Sequence, residues 1–192
     1  MHRRGFMAGS SASLTLGSAS AENASRLIID DFASGTGIAL SGNRWVGFTD
    51  QVMGGRSTGG ANLDEIDGRP CIRLTGTVDT RDGGFIQLAI DLGKNQRPFD
   101  GRSYTGVELD VYGNGESYNC HLRTTDVRRY DQSYRATFKA PQSWTTVKLP
   151  WSKFEPSAIE TPLNLEALLR LGILAWMRDF EADIALGRLA LY

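Results

Sequence analysis

Apolar and polar residues alternate along most of this chain with a period of two. Ile72 and Leu74 stand on one parity, with Cys71, Arg73 and Thr75 on the other. The same grammar sets Ile86, Leu88 and Ile90 against Phe85, Gln87 and Ala89, and Val107, Leu109 and Val111 against Glu108, Asp110 and Tyr112. It continues with Tyr118, Cys120 and Leu122 against Asn119, His121 and Arg123, then Tyr134, Ala136 and Phe138 against Arg135, Thr137 and Lys139. Successive side chains of an extended chain point to opposite faces, so each alternation predicts a strand with one face in a core. Strict alternation, rather than continuous apolar runs, also favours antiparallel pairing.

Shorter extended pieces are predicted at Leu27–Ile29, Trp45–Phe48 and around Val147 and Leu149. Gly60–Ile66 and Pro70–Val78 read as a hairpin joined through Asp67-Gly68, a strong turn dipeptide. Leu171–Trp176 and Phe180–Leu191 are further strands, and in the second the apolar parity slips across Gly187-Arg188, which predicts a bulge. Leu163–Leu171 departs from the rule: its leucines have helical spacing and Asn164 suits an N-cap, so one short helix is expected there. With no strand–helix–strand repetition, the prediction is an all-β chain folded as a jelly-roll β-sandwich with one short helix.

Residues 1–21 stand apart. Arg3-Arg4, a mildly apolar uncharged stretch and Ala19-Ser20-Ala21 resemble a twin-arginine export signal cleaved after Ala21, leaving one domain over 22–192. The expected location is the periplasm or another exported site, with the cytoplasm as the alternative if the leader is not a signal. The apolar run is too short and too rich in Ser and Gly to span a membrane, so membrane contact would be peripheral at most. Without the leader the chain carries 19 basic and 22 acidic side chains, about −3, and no basic stripe. Nucleic acid is therefore not an expected partner. Two cysteines do not make a disulfide framework, and Cys71 and Cys120 fall on opposite parities.

The composition supplies little catalytic chemistry. His121 is the one histidine beyond the leader, on an outward parity where a solvated sheet-surface position is expected, and no nucleophile motif accompanies it. A zinc set needs more His or Cys. Oxygen ligands for calcium are conceivable at Asp79 and Asp82 or at Asp30-Asp31, but no dense acidic loop is present, and neither metal nor cofactor is expected. The most unusual stretch is Trp45–Gly60, WVGFTDQVMGGRSTGG, whose paired glycines imply special backbone angles or close approach. It is either a tight structural corner or a recognition loop. Phe85 also stands out, because its parity separates it from Ile86 and Leu88 and Gly83-Gly84 precedes it.

These residues resemble a known family. Trp45 with Thr49-Asp50-Gln51-Val52-Met53-Gly54-Gly55 and Ser57, then Gly83-Gly84-Phe85, Tyr104 and Gly106, are similar to the complex I intermediate-associated protein 30 family. Gly113-Asn114-Gly115, Tyr118, Arg123, Phe138, Trp144, Leu149-Pro150, Phe154 and Pro156 extend the match, with Asn114 where an aspartate is expected. The resemblance implies a galactose-binding-like jelly roll. It also implies a non-enzymatic assembly factor for respiratory complex I, NADH:ubiquinone oxidoreductase, with a protein partner drawn from a membrane complex. An exported copy would reach only the outer side of the membrane arm. The contact candidates are Asp50, Gln51, Met53, Arg56, Phe85, Gln87 and Arg123. The alternative, permitted by the same mixture of aromatic, Arg and Asp side chains, is an exported carbohydrate-binding module.

Overall fold

The computed structural model describes residues 26–95 and 97–192. The leader read as an export signal lies outside the described residues, as does the side chain of Asp82. Twelve strands follow one another: β1 Leu27–Asp30, β2 Val46–Thr49, β3 Thr58–Ile66, β4 Arg69–Val78, β5 Phe85–Asp91 and β6 Gly106–Gly113. They continue as β7 Ser117–Thr124, β8 Ser133–Lys139, β9 Thr145–Pro150, β10 Glu155–Ser157, β11 Leu168–Trp176 and β12 Phe180–Leu191. They form two six-stranded antiparallel sheets. The first runs β3-β4-β12-β6-β9, with β1 also on β12; the second runs β10-β8-β7-β11-β5-β2.

The inward parities read from the sequence meet between these sheets. Leu74, Val107, Leu109, Val111 and Leu189 from the first pack toward Ile86, Leu88, Tyr118, Cys120, Leu122 and Leu171 from the second, all buried in one cluster. Burying such side chains contributes roughly 1.5–3 kcal/mol each, which is what closes the sandwich. The hairpin at Asp67-Gly68 is present with both residues at positive φ, 53° and 73°. The predicted bulge is present too, as a register shift between Leu186 and Arg188 that returns Leu189 and Leu191 to the core. Cys71 and Cys120 are free and buried, one in each sheet.

The expected helix at Leu163–Leu171 does not form. Asn164 does cap, its side chain accepting from the Glu166 amide at 3.1 Å, but the turn it caps is a single 3-10 turn, Leu165–Ala167. From Leu168 onward the chain is β11, paired with β7 on one side and β5 on the other. A helix there would leave both neighbouring strand edges without backbone partners, a penalty that local propensity does not match. The helical spacing arose because this central strand carries apolar residues on both parities, with Leu171, Ile173 and Leu174 all buried.

The outer face of the first sheet is closed by charge. Arg188 donates to Asp110 and Glu108, both at 2.9 Å, and Arg69 and Arg26 complete the pairing of these two buried carboxylates. Trp144 lies over Arg69 at 4.6 Å. Asn114, where the family pattern suggested aspartate, donates to the Glu181 carbonyl at 2.7 Å and accepts from Tyr118 Oη at 2.8 Å. An amide performs both tasks, whereas an ionised aspartate could only accept.

Candidate functional site

The outer face of the second sheet is open. Register aligns its outward side chains in rows across the strands. One row runs Arg135, His121, Gly172, Ala89 and Val46; the next runs Thr137, Asn119, Leu174, Gln87 and Phe48. Trp176 stands opposite Phe85 at the end of β11. Gly172 sits in the middle of this face, and a Cβ there would come within 2.3 Å of the Gln87 amide nitrogen. The missing side chain therefore gives the Gln87 amide its place on the floor.

Around Gly172 and Gln87 is a groove of about 490 Å³. Its floor holds Phe85, Gln87, His121, Gly172, Leu174 and Trp176, and its rim holds Val52, Met53, Tyr130, Asp131, Arg123, Arg135 and Arg170. A second depression of about 540 Å³ adjoins it, sharing Arg123 and Arg170 and continuing past Asp91, Asn43 and Arg97. Asn43 secures that end by donating to the carbonyls of Asp91 and Gly93 at 2.7 and 2.8 Å.

The floor is built from rings. Phe48 and Phe85 meet edge to face at 5.9 Å, and His121 and Trp176 do the same at 5.6 Å. The Arg135 guanidinium lies over Trp176 at 4.1 Å from the ring centroid. His121 is on the outward parity as read, but it is not solvated: it is 9 % exposed, and its Nε2 has no hydrogen-bond partner among the described residues. Burial, reinforced by Arg135 and Arg123, pushes its pKa down to about 3, so the ring is neutral. Burial likewise lowers the pKa of Arg123, with a contribution from Arg170, and lowers that of Arg135 against a small opposing effect of Asp131.

Of the seven candidates read from the sequence, Met53, Phe85, Gln87 and Arg123 line this one groove. Asp50, Gln51 and Arg56 do not. Asp50 was expected on an exposed face and is instead fully buried. Its Oδ1 accepts from the Ser57 amide at 2.9 Å; its Oδ2 accepts from Ser57 Oγ at 2.8 Å and from the amides of Gly84 and Phe85 at 2.6 and 3.3 Å. A Cβ on Gly55 would strike this carboxylate at 2.3 Å, which explains one glycine of the pair. Gln51 donates its amide to the Ser57 carbonyl at 3.1 Å, and Arg56 is exposed beside Asp79. The Trp45–Gly60 stretch thus combines both readings: Asp50 is the corner's tie, while Val52 and Met53 stand 69 % and 52 % exposed at the groove rim. Trp45, buried, anchors its start by donating to Asp30 at 2.7 Å.

Sequence reasoning missed Trp176, Arg135, Arg170 and Tyr130. The outward parity of Arg135 and Trp176 was available, but assigning Arg170 to a helix concealed that it shares a face with Gly172 and Trp176. Among the described residues no group of three or more His, Cys, Asp or Glu could hold a metal ion. Asp30 is engaged by Trp45 and the Phe32 amide, and Asp79 by Arg81.

The sequence profile of one family, Complex I intermediate-associated protein 30 (CIA30), matches residues 31–186. No curated protein matches the chain by sequence. Among solved structures, the family 11 carbohydrate-binding module of the cellulosomal cellulase Lic26A-Cel5E of Clostridium thermocellum superposes with a TM-score of 0.69 at 11% identity, over 87% of this chain and 94% of that one. The same organism's family 11 module in complex with a β-1,3-1,4-mixed-linked tetrasaccharide gives 0.66 at 11% identity, over 86% and 94%. The family 30 module of its cellulase Cel9D-Cel44B gives 0.57 at 14%, over 87% and 96%. At such identities the likeness establishes the jelly-roll, galactose-binding-like fold.

Proposed function

Because the chain belongs to the Complex I intermediate-associated protein 30 family, we propose that it is a non-enzymatic binding module that holds a protein partner while a respiratory membrane complex is assembled. The observation that carries this reading is the groove on the second sheet, where Val52, Met53 and Tyr130 expose large apolar surface beside a ring-lined floor. Contiguous exposed apolar side chains on an otherwise well-packed domain mark a partner surface. Met53 suits such a rim because an unbranched thioether adapts to imperfect contours.

A binding role without catalysis fits the electrostatics. With a pKa near 3, His121 is a weak base and accepts a proton with little driving force near neutrality. The fold likeness to carbohydrate-binding modules suggests a glycan as the rival occupant. Arg135 already lies over Trp176, so a stacked sugar would have to use Phe85 or Tyr130 instead. We place the protein outside the cytoplasm, so its partner would be the outer side of a membrane arm.

The test is a gene deletion in the source organism, with assembled complex I quantified on native gels. A fall in assembled complex, restored by the wild-type gene and not by Met53→Ser with Tyr130→Ser, is the expected result. Unchanged assembly in the deletion strain overturns the reading. Binding of mixed-linked glucan oligosaccharides by the purified domain, with assembly unaffected, replaces it with the glycan module.

A further inference from the structure

Arg123 and Arg135 reach the groove from adjacent strands, and both are half-buried. Neither forms an ion pair with a carboxylate among the described residues. Arg123 donates to the carbonyls of Tyr130 and Arg129 at 3.3 and 3.1 Å; Arg135 donates to Ser133 Oγ at 2.8 Å and to the Asp131 carbonyl at 3.1 Å. A guanidinium has five N–H donors, so each keeps about three after these contacts. The other charges nearby are already matched. Arg170 binds Asp91 at 2.7 Å, and the Asp131 carboxylate is taken by Arg129 at 2.8 and 3.0 Å. Between the two arginines lies His121, neutral, with Nε2 unpartnered in the floor.

Desolvating a cation without an opposite charge is unfavourable, and natural sites supply the missing anion or lose the cation. Here two cations and an unsatisfied ring nitrogen converge on one groove whose remaining floor is aromatic. We infer that the groove binds an acidic peptide segment, with a carboxylate of the partner seated on Arg123 and Arg135 and a neighbouring apolar side chain laid on Phe85 and Met53. Planar carboxylates match the guanidinium fork, which gives orientation as well as attraction. A ring-lined floor with two guanidinium groups at its rim suits an alternation of acidic and apolar side chains along an extended peptide. This inference rests on the assembly-module reading and names the partner chemistry that reading needs.

The test uses fluorescence polarisation with the purified domain and a labelled octapeptide alternating glutamate with leucine or phenylalanine. Comparators are its glutamine counterpart, inorganic phosphate, and phosphatidylserine-containing vesicles followed by sedimentation. The glutamate peptide is expected to bind at least ten-fold more tightly than the glutamine peptide. Arg135→Gln and Arg123→Gln should each weaken it ten-fold or more, and Gly172→Val should weaken it by pushing the Gln87 amide up into the groove. Arg102→Gln, which disturbs only the distant exposed pairs with Asp100 and Glu166, should leave affinity unchanged. Thermal melts check that each variant folds, since Arg123 holds the loop at residues 129–130 and Arg135 holds it at Asp131. Equal affinity for the two peptides, binding of neither, or indifference to both arginine substitutions overturns the inference. Vesicle binding that needs Arg135 without peptide binding overturns it in favour of a lipid surface. If the deletion strain loses complex I and the Arg123→Gln, Arg135→Gln double variant restores it, the inference falls while the assembly reading stands. Peptide binding with normal assembly in the deletion strain gives the reverse.

Discussion

Replacing Asp50 by alanine tests how the Trp45–Gly60 stretch is held. The carboxylate receives three backbone amides and one hydroxyl with no exposure to solvent, and its partners belong to two different segments, at Ser57 and at Gly84 and Phe85. Truncation strands these donors. Each buried donor left without an acceptor costs about 1–3 kcal/mol. The Phe85 contact is long, and water entering the space of the lost carboxyl recovers part of the rest. A net loss of about 3–5 kcal/mol follows, in the range found on breaking buried charge networks. For a domain of this size 1 kcal/mol moves the midpoint by about 2–4 °C, so the melting temperature should fall by roughly 10 °C. Asp50→Asn should lose about 2 kcal/mol, because one amide oxygen cannot serve both the Ser57 amide and the Oδ2 trio. Urea titration of the three proteins gives the free energies, and amide exchange at Ser57 and Gly84 shows whether the loosening starts there. A loss under about 1 kcal/mol for Asp50→Ala, with unchanged exchange at both amides, would refute the tie.

Met53→Ala is expected to change stability by less than about 0.5 kcal/mol, since the side chain is half exposed, while weakening partner capture in a pull-down. His121 is neutral in the fold and titrates near its ordinary value when unfolded. Its contribution is therefore intact above about pH 6.5 and is lost as pH falls toward 3. Relative to His121→Gln, the wild type should lose about 2 kcal/mol between pH 7 and pH 5 in denaturation series. Arg188→Met leaves Glu108 and Asp110 short of their shared partner and should cost about 3 kcal/mol in urea unfolding. Mature protein recovered from the periplasmic fraction should begin at Glu22 on N-terminal sequencing.

Parity carried most of the fold from sequence. It placed Ile72, Leu88, Leu109 and Leu122 inside and anticipated the slip at Gly187, because each depends only on neighbours two residues away. It failed at Leu163–Leu171, where the deciding contacts are β5 and β7, both distant in sequence. The groove was half legible. Phe85, Gln87, Met53 and Arg123 were found from their faces and flanking glycines. Trp176 and Arg135 come together only through the register of three strands, which a single sequence does not specify. Asp50 was misread for a related reason: a polar residue in a glycine-rich loop looks exposed until its partners, Gly84 and Phe85, arrive from some 34 positions away. His121 was placed on the right face, but the packing of Trp176 and Arg135 over that face was not foreseen.

The position of β12 has a consequence for biogenesis. In the first sheet β12 pairs with β1, β4 and β6, and all three precede it in the chain. While residues 180–191 are still inside the ribosome, none of those strands has its central partner, and the apolar faces of both sheets lack their full cover. The domain therefore cannot reach its native state strand by strand as it is synthesised. It emerges as an open chain and closes late, over contacts of long sequence separation that form slowly. That interval is the time in which a holding chaperone has access to the unclosed sheets.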